Sequence, residues 1–174
     1  MPSAQCRHAK VEFTLDNRRI LNLSLDPESY RCSWNRCGDF VEDVLQFLEP
    51  VIGDDQGKRF DFIFNELIEN AVKFSRGGRD TVHVDIHSSG NSVTIQVTNE
   101  TGLREWELFR DYYSKTSGKD PDTLYRESLP MLSGESPVPL GLMLVQRDDR
   151  TTLDINFYKK GSRYYVAVKV NIGL

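Results

Sequence analysis

Phe64-Asn65-Glu66-Leu67-Ile68-Glu69-Asn70-Ala71-Val72-Lys73-Phe74-Ser75 is the stretch on which the fold of this chain turns. Phe60, Ile63, Phe64, Leu67, Ile68 and Ala71 recur at helical spacing and define one face to be buried. Glu66, Asn70 and Lys73 stand at i, i+4 and i+7, a polar stripe along the edge of that face. A carboxylate can take a proton, an amide oxygen can ligate a hard cation, and an amine can meet phosphate charge. The stripe therefore suits a magnesium-bound polyphosphate. It is also what an ordinary amphipathic helix shows to water, with Glu66 and Asn70 simply hydrogen-bonded, and spacing alone leaves both open.

Working outward, 174 residues suit one domain with a sizeable core. The net charge of -4 argues against a general nucleic-acid binder. No apolar run is long enough to span a bilayer, and Met1-Pro2-Ser3-Ala4-Gln5-Cys6 carries no hydrophobic signal region, so a cytoplasmic location and no membrane partner are expected. Cys6, Cys32 and Cys37 are odd in number and irregular in spacing, which fits reduced thiols better than disulfides or a zinc site.

Lys10–Leu15 and Arg19–Leu25 alternate around Asp16-Asn17-Arg18 and read as an N-terminal hairpin over 10–25. Asp26 and Pro27 open a helix as N-cap and first position. A second helix is expected over Asp39–Leu48, closed by Pro50 and Gly53, then a loop over Gly53–Gly57. The helix of the polar stripe follows, ending at Arg76-Gly77-Gly78. Thr81–His87 and Ser92–Thr98 are alternating strands about the turn Ser89-Gly90-Asn91, with His83 and His87 on the polar side. Leu103–Tyr113 reads as a helix. Ser114–Pro139 has no sustained period and reads as a long loop over 114–139, either functional or mobile. Leu140–Gln146 is a short helix. Thr151–Tyr158 and Arg163–Ile172 form a last hairpin about Lys159–Ser162. Locally paired strands with one greasy face, plus helices that must cover it, give an α+β two-layer sandwich.

Neither a Gly-x-x-x-x-Gly-Lys-Ser/Thr loop nor a Gly-x-Gly-x-x-Gly turn is present. Asn65-Glu66-Leu67-x-x-Asn70-Ala71-x-Lys73 instead resembles the N-box of the GHKL (histidine kinase and heat-shock-90-like) ATPase superfamily. The resemblance implies a mixed, mostly antiparallel sheet covered on one face by helices, with ATP held under a lid, and it makes the loop over 114–139 lid-like. It makes Glu66 the general base, Asn70 the magnesium ligand and Lys73 a phosphate contact. The family's second box, Asp-x-Gly-x-Gly, falls on Asn99-Glu100-Thr101-Gly102. There Asn99 stands at the adenine-contacting Asp and Thr101 replaces the first Gly. The third box is similar to Pro139-Leu140-Gly141-Leu142, with Gly141 and Leu142 retained. Lys115, Ser117 and Lys119 precede it and suit either phosphate contact or an ordinary polar loop.

Within the superfamily the short chain looks most like the anti-sigma-factor serine kinases and the small protein kinases of the SiaB type. That likeness implies one ATP- and Mg2+-dependent domain over 1–174, transferring a phosphoryl group to Ser or Thr on a STAS-like antagonist partner. A homodimer is compatible with it. The alternative is a scaffold of the same fold that regulates by binding a partner, which the substitutions at Asn99 and Thr101 favour.

Overall fold

The computed structural model describes residues 10–12, 19–31, 35–77, 80–128 and 140–174. Alternating apolar residues build six strands. They are β1 (Lys10–Glu12), β2 (Arg19–Leu25), β3 (Val82–Ser88), β4 (Ser92–Thr101), β5 (Thr151–Lys160) and β6 (Arg163–Gly173). They form one sheet in the order β1-β2-β3-β4-β6-β5. Every neighbouring pair is antiparallel, so the sheet is not mixed among the described residues. β3–β4 and β5–β6 are joined by short turns and can pair only antiparallel. The long connections between β2 and β3 and between β4 and β6 also bring the chain back antiparallel.

Val82, Val84 and Ile86 of β3, Val93, Ile95 and Val97 of β4, and Val166, Val168 and Val170 of β6 all face the core. Registers such as Val84↔Val97 and Val97↔Val168 line them up across the sheet. The opposite face is polar, with rungs such as Asn22 Nδ2 donating to Asp85 Oδ1 at 2.6 Å and Thr94 Oγ1 donating to Asn171 Oδ1 at 3.1 Å.

The helices cover the apolar face. They are α1 (Pro27–Arg31), α2 (Asn35–Ile52), α3 (Asp54–Phe74), α4 (Leu103–Thr116), α5 (Pro121–Ser128) and α6 (Leu140–Gln146). Phe60, Phe64, Leu67 and Ile68 of α3 are buried, as periodicity requires, with Val41 and Leu48 of α2 beside them. Asp26 caps α1, its Oδ1 accepting the Glu28 N–H at 3.2 Å and its Oδ2 the Ser29 hydroxyl at 2.9 Å.

Three expectations change. The loop expected over 53–57 is one residue: α2 runs on through Pro50 to Ile52, and α3 begins at Asp54. Gly53 makes the turn alone at φ 69°, a conformation open to glycine. Pro50 sits in the final turn of α2, where the lost N–H breaks only one bond. The expected loop at 114–139 is also partly helical, because α4 reaches Thr116 and Pro121 opens α5. Asp120 caps α5 by accepting the Thr123 N–H at 2.9 Å and hydroxyl at 2.8 Å, a signal that eight residues are too few to show as a period. Residues 129–139 of that segment, with Cys6, Cys32, Trp34 and Pro139, lie outside the described residues. Finally, β4 continues past the expected end at Thr98 to Thr101, so Asn99 is a strand residue.

Candidate functional site

The stripe on α3 lies where the sequence puts it. Glu66 and Asn70 are half-buried, and Lys73 is exposed. Asn70 Nδ2 donates to the Glu66 main-chain oxygen at 2.6 Å, one turn back. That bond fixes the amide and turns its Oδ1 away from the helix backbone, with no hydrogen-bond donor on it among the described residues.

α6 runs back along the same side of α3. At one end Arg59 Nε meets Asp148 Oδ2 at 2.5 Å, just past α6. Two turns along α3, Gly141 at the start of α6 lies against Glu66. A Cβ on Gly141 would overlap the Glu66 carboxylate and sit 2.9 Å from its Cγ. Only glycine lets α6 come this close with the carboxylate in its present place. Glu66 makes no side-chain hydrogen bond or ion pair among the described residues. Burial raises its pKa above the ordinary 4.5, and the neighbouring charge of Glu69 raises it further. A carboxylate without a bound donor and with raised basicity suits proton transfer.

Lys73 places its Nζ 5.3 Å from the ring of its neighbour Phe74. Phe74 stacks on Phe109 at 6.5 Å, which brings α4 against the last turn of α3. α4 is held to the sheet by Trp106, whose indole N–H donates to the Tyr165 carbonyl at 3.1 Å. Tyr112 reaches Met143 Sδ at 3.6 Å and ties α4 to α6. The α3 stripe is thus framed by α4 and α6.

The end of β4 is fastened to the end of α3 by the Arg76 N–H donating to the Glu100 carbonyl at 3.2 Å. Asn99 and Thr101 share the helix-covered face and are buried. Asn99 Nδ2 has one long bond, to the Glu100 carbonyl at 3.4 Å. Thr101 Oγ1 is buried with no partner among the described residues, a costly state for a hydroxyl. The Glu100 carboxylate points to the other face, against Arg163 at 3.1 Å and Arg76 at 3.8 Å. Burial and this carboxylate together raise the pKa of Asp80. Gly102 N-caps α4 in an extended conformation, and a Cβ there would overlap the Glu105 carboxylate.

The fold therefore joins Glu66, Asn70 and Lys73 with Gly141, and brings Asn99 and Gly102 to the end of the same helix. No hydrogen bond links Asn99 to the stripe among the described residues. Leu142 is buried in the core, so its part is to pack α6. His83 is exposed, and no metal-binding cluster of His, Cys, Asp or Glu occurs among the described residues. Sequence reasoning missed Arg31, which donates to the last carbonyls of α3, Val72 O at 3.1 Å and Ser75 O. Nor did it single out Arg59 with Asp148, although Arg59 lies two turns before Glu66 on the same helix face. A cleft of about 330 Å³ between α2 and α3, lined by Leu45, Glu49, Ile52, Lys58 and Asp61, opens toward the other end of α3. It is not part of this site.

The sequence matches no family model and no curated protein. A chain in the crystal structure of the SiaB-SiaC complex from Pseudomonas aeruginosa superposes on it with a TM-score of 0.69 and 13% identity. The match covers 90% of this chain and 92% of that one, so the two share a fold along nearly their whole lengths. Among the described residues no helix is long and apolar enough to cross a membrane.

Proposed function

We propose that this chain is a small regulatory ATP-binding protein of the GHKL type, a protein serine/threonine kinase acting on a STAS-like antagonist in a partner-switching pathway. One observation carries this reading. Glu66, a half-buried carboxylate with no bound donor, lies on Gly141, one helical turn from the free amide oxygen of Asn70. The likeness to a chain crystallised as part of a two-protein complex supports a regulatory role with a protein partner.

The residues present fit a magnesium nucleotide. Mg2+ takes oxygen ligands and keeps several of its own waters, so one amide oxygen with phosphate oxygens is a sufficient donor set. Asn70 Oδ1 is the ligand this chain offers, and the ion when bound offsets phosphate charge. Glu66 orients the acceptor hydroxyl and takes its proton, a role worth about 10²–10⁴ in rate. Lys73 places a positive charge one turn beyond Asn70, where phosphate oxygens gather. Asn99 and Thr101 supply the polar groups under the base end. The segment 114–139 is suited to closing over the nucleotide.

A second reading, a scaffold of the same fold that binds its partner without phosphorylating it, is favoured by Asn99. Its amide replaces a carboxylate and forfeits a charge-assisted bond to the base. Titration calorimetry with ATP, with and without magnesium, separates the two. The kinase reading expects magnesium-dependent binding that is lost in Asn70→Ala and kept in Glu66→Ala, with labelled phosphate reaching a partner only from wild type. No heat from wild type with ATP would leave the scaffold.

A further inference from the structure

β5 closes one edge of the sheet, and its outer side is a ready pairing surface. It runs ten residues, Thr151–Lys160, in unbroken register with β6. It contains no proline and no bulge, the usual devices that blunt an edge. The Gly173 N–H donates to the Arg150 carbonyl at 2.8 Å, and these two residues are opposite one another. In an antiparallel pair such bonds recur at every second residue. The even-numbered residues of β5 therefore spend their backbone groups on β6. Leu153, Ile155, Phe157 and Lys159 turn theirs outward, where no strand meets them among the described residues.

We infer that this edge pairs with β5 of a second copy of the chain, antiparallel, about a two-fold axis through Phe157. A two-fold axis demands a strand complementary to itself. Centred on Phe157, Ile155 faces Lys159, Asn156 faces Tyr158, and Asp154 faces Lys160, each twice. Asp154 and Lys160 are exposed, and neither makes an ion pair within the chain among the described residues. They lie at the non-hydrogen-bonded positions of the new ladder, where facing side chains come closest. Centring on Asn156 instead sets Asp154 against Tyr158, and centring on Tyr158 sets Lys160 against Asn156. Both leave the charges unmatched. An edge lysine ordinarily discourages pairing with other strands. Lys160 does so for every register but the one that gives it Asp154. Lys159 is held at 5.2 Å from the Tyr164 ring on the helix-covered face and does not obstruct the edge. This inference does not depend on the proposed kinase activity.

Charge exchange tests it. Sedimentation of the full chain from about 1 to 100 μM is expected to show a dimer. Asp154→Lys and Lys160→Asp each turn two attractive pairs into two repulsive ones and weaken it by about tenfold or more. The combined Asp154→Lys/Lys160→Asp chain restores it. Both sites are on the surface, and circular dichroism confirms that each variant is folded. A wild type that stays monomeric throughout, a dimer indifferent to the single exchanges, or a double exchange that fails to restore association would each overturn the proposal.

Discussion

Gly141→Ala adds one methyl group at the contact between α6 and α3, and its effect can be worked out from the structure. The new carbon overlaps the Glu66 carboxylate and lies 2.9 Å from Cγ. Two terms oppose. Alanine is favoured over glycine in a helix by up to about 1 kcal/mol. Overpacking costs about 1–3 kcal/mol where the neighbour cannot yield. The obstructing atoms are the end of a half-buried side chain, so Glu66 is expected to swing away and the net loss of stability to stay within about 2 kcal/mol. On the proposed kinase reading the rate has less latitude, because a general base displaced by about 1 Å loses roughly 10²-fold. The assay is a double-mutant cycle by chemical denaturation, with phosphoryl transfer measured alongside. In a Glu66→Ala background the obstruction is gone, and Gly141→Ala should then stabilise by up to about 1 kcal/mol. The coupling between the sites should reach about 1–3 kcal/mol. If the two changes simply add, α6 does not rest on the Glu66 carboxylate and the geometry of the site is wrong.

Glu66→Gln keeps the shape and removes the charge. Burial raises the folded-state pKa of Glu66 above 4.5, so ionisation works against the fold. The wild-type chain is disfavoured as pH rises through that raised value, and the penalty is absent below the ordinary one. Glu66→Gln is therefore expected to melt higher than wild type at neutral pH and level with it near pH 4; a gap of the same size at both would remove the buried charge as the cause. Arg31→Ala strips the guanidinium from the Val72 and Ser75 carbonyls at the end of α3. The expected loss is about 1–3 kcal/mol, or several degrees in a melting curve, and an unchanged midpoint would show that water caps the helix as well as Arg31 does.

The helix of the polar stripe was legible because both its signals are local. Phe60, Phe64, Leu67 and Ile68 repeat at 3.6 residues, and Glu66 and Asn70 share a face by the same arithmetic. The strands from Val82 to Thr98 were equally plain, since a sheet with one wet face writes its alternation into the sequence. What escaped reading depends on partners far along the chain. Nothing near Arg31 says that it binds carbonyls of residues 72 and 75. Nothing near Gly141 says that its missing side chain is occupied by the carboxylate of residue 66. The α2–α3 connection was misread because Pro50 and Gly53 look like a loop, while a helix tolerates proline in its last turn and glycine can reverse the chain alone. At Asn99 the strand was cut short because a buried Asn-Glu-Thr run has no apolar alternation to follow. Burial there comes from α3 on one face and from Arg76 and Arg163 around Glu100 on the other, not from composition.

The order of strands also divides the sheet by the cost of closing it. β3 meets β4 across three residues and β6 meets β5 across two, so those contacts form at little expense in chain freedom. β2 meets β3 only across roughly 56 residues, a span about four doublings longer, which adds about 2.5 kcal/mol of closure entropy. That span contains α1, α2 and α3, and their packing offsets the cost. The N-terminal pair of strands thus belongs to the sheet by hydrogen bonding but depends thermodynamically on the helices. A lesion in the core of α3 therefore loosens the N-terminal edge of the sheet, whose Leu21, Leu23 and Leu25 share one buried cluster with that helix.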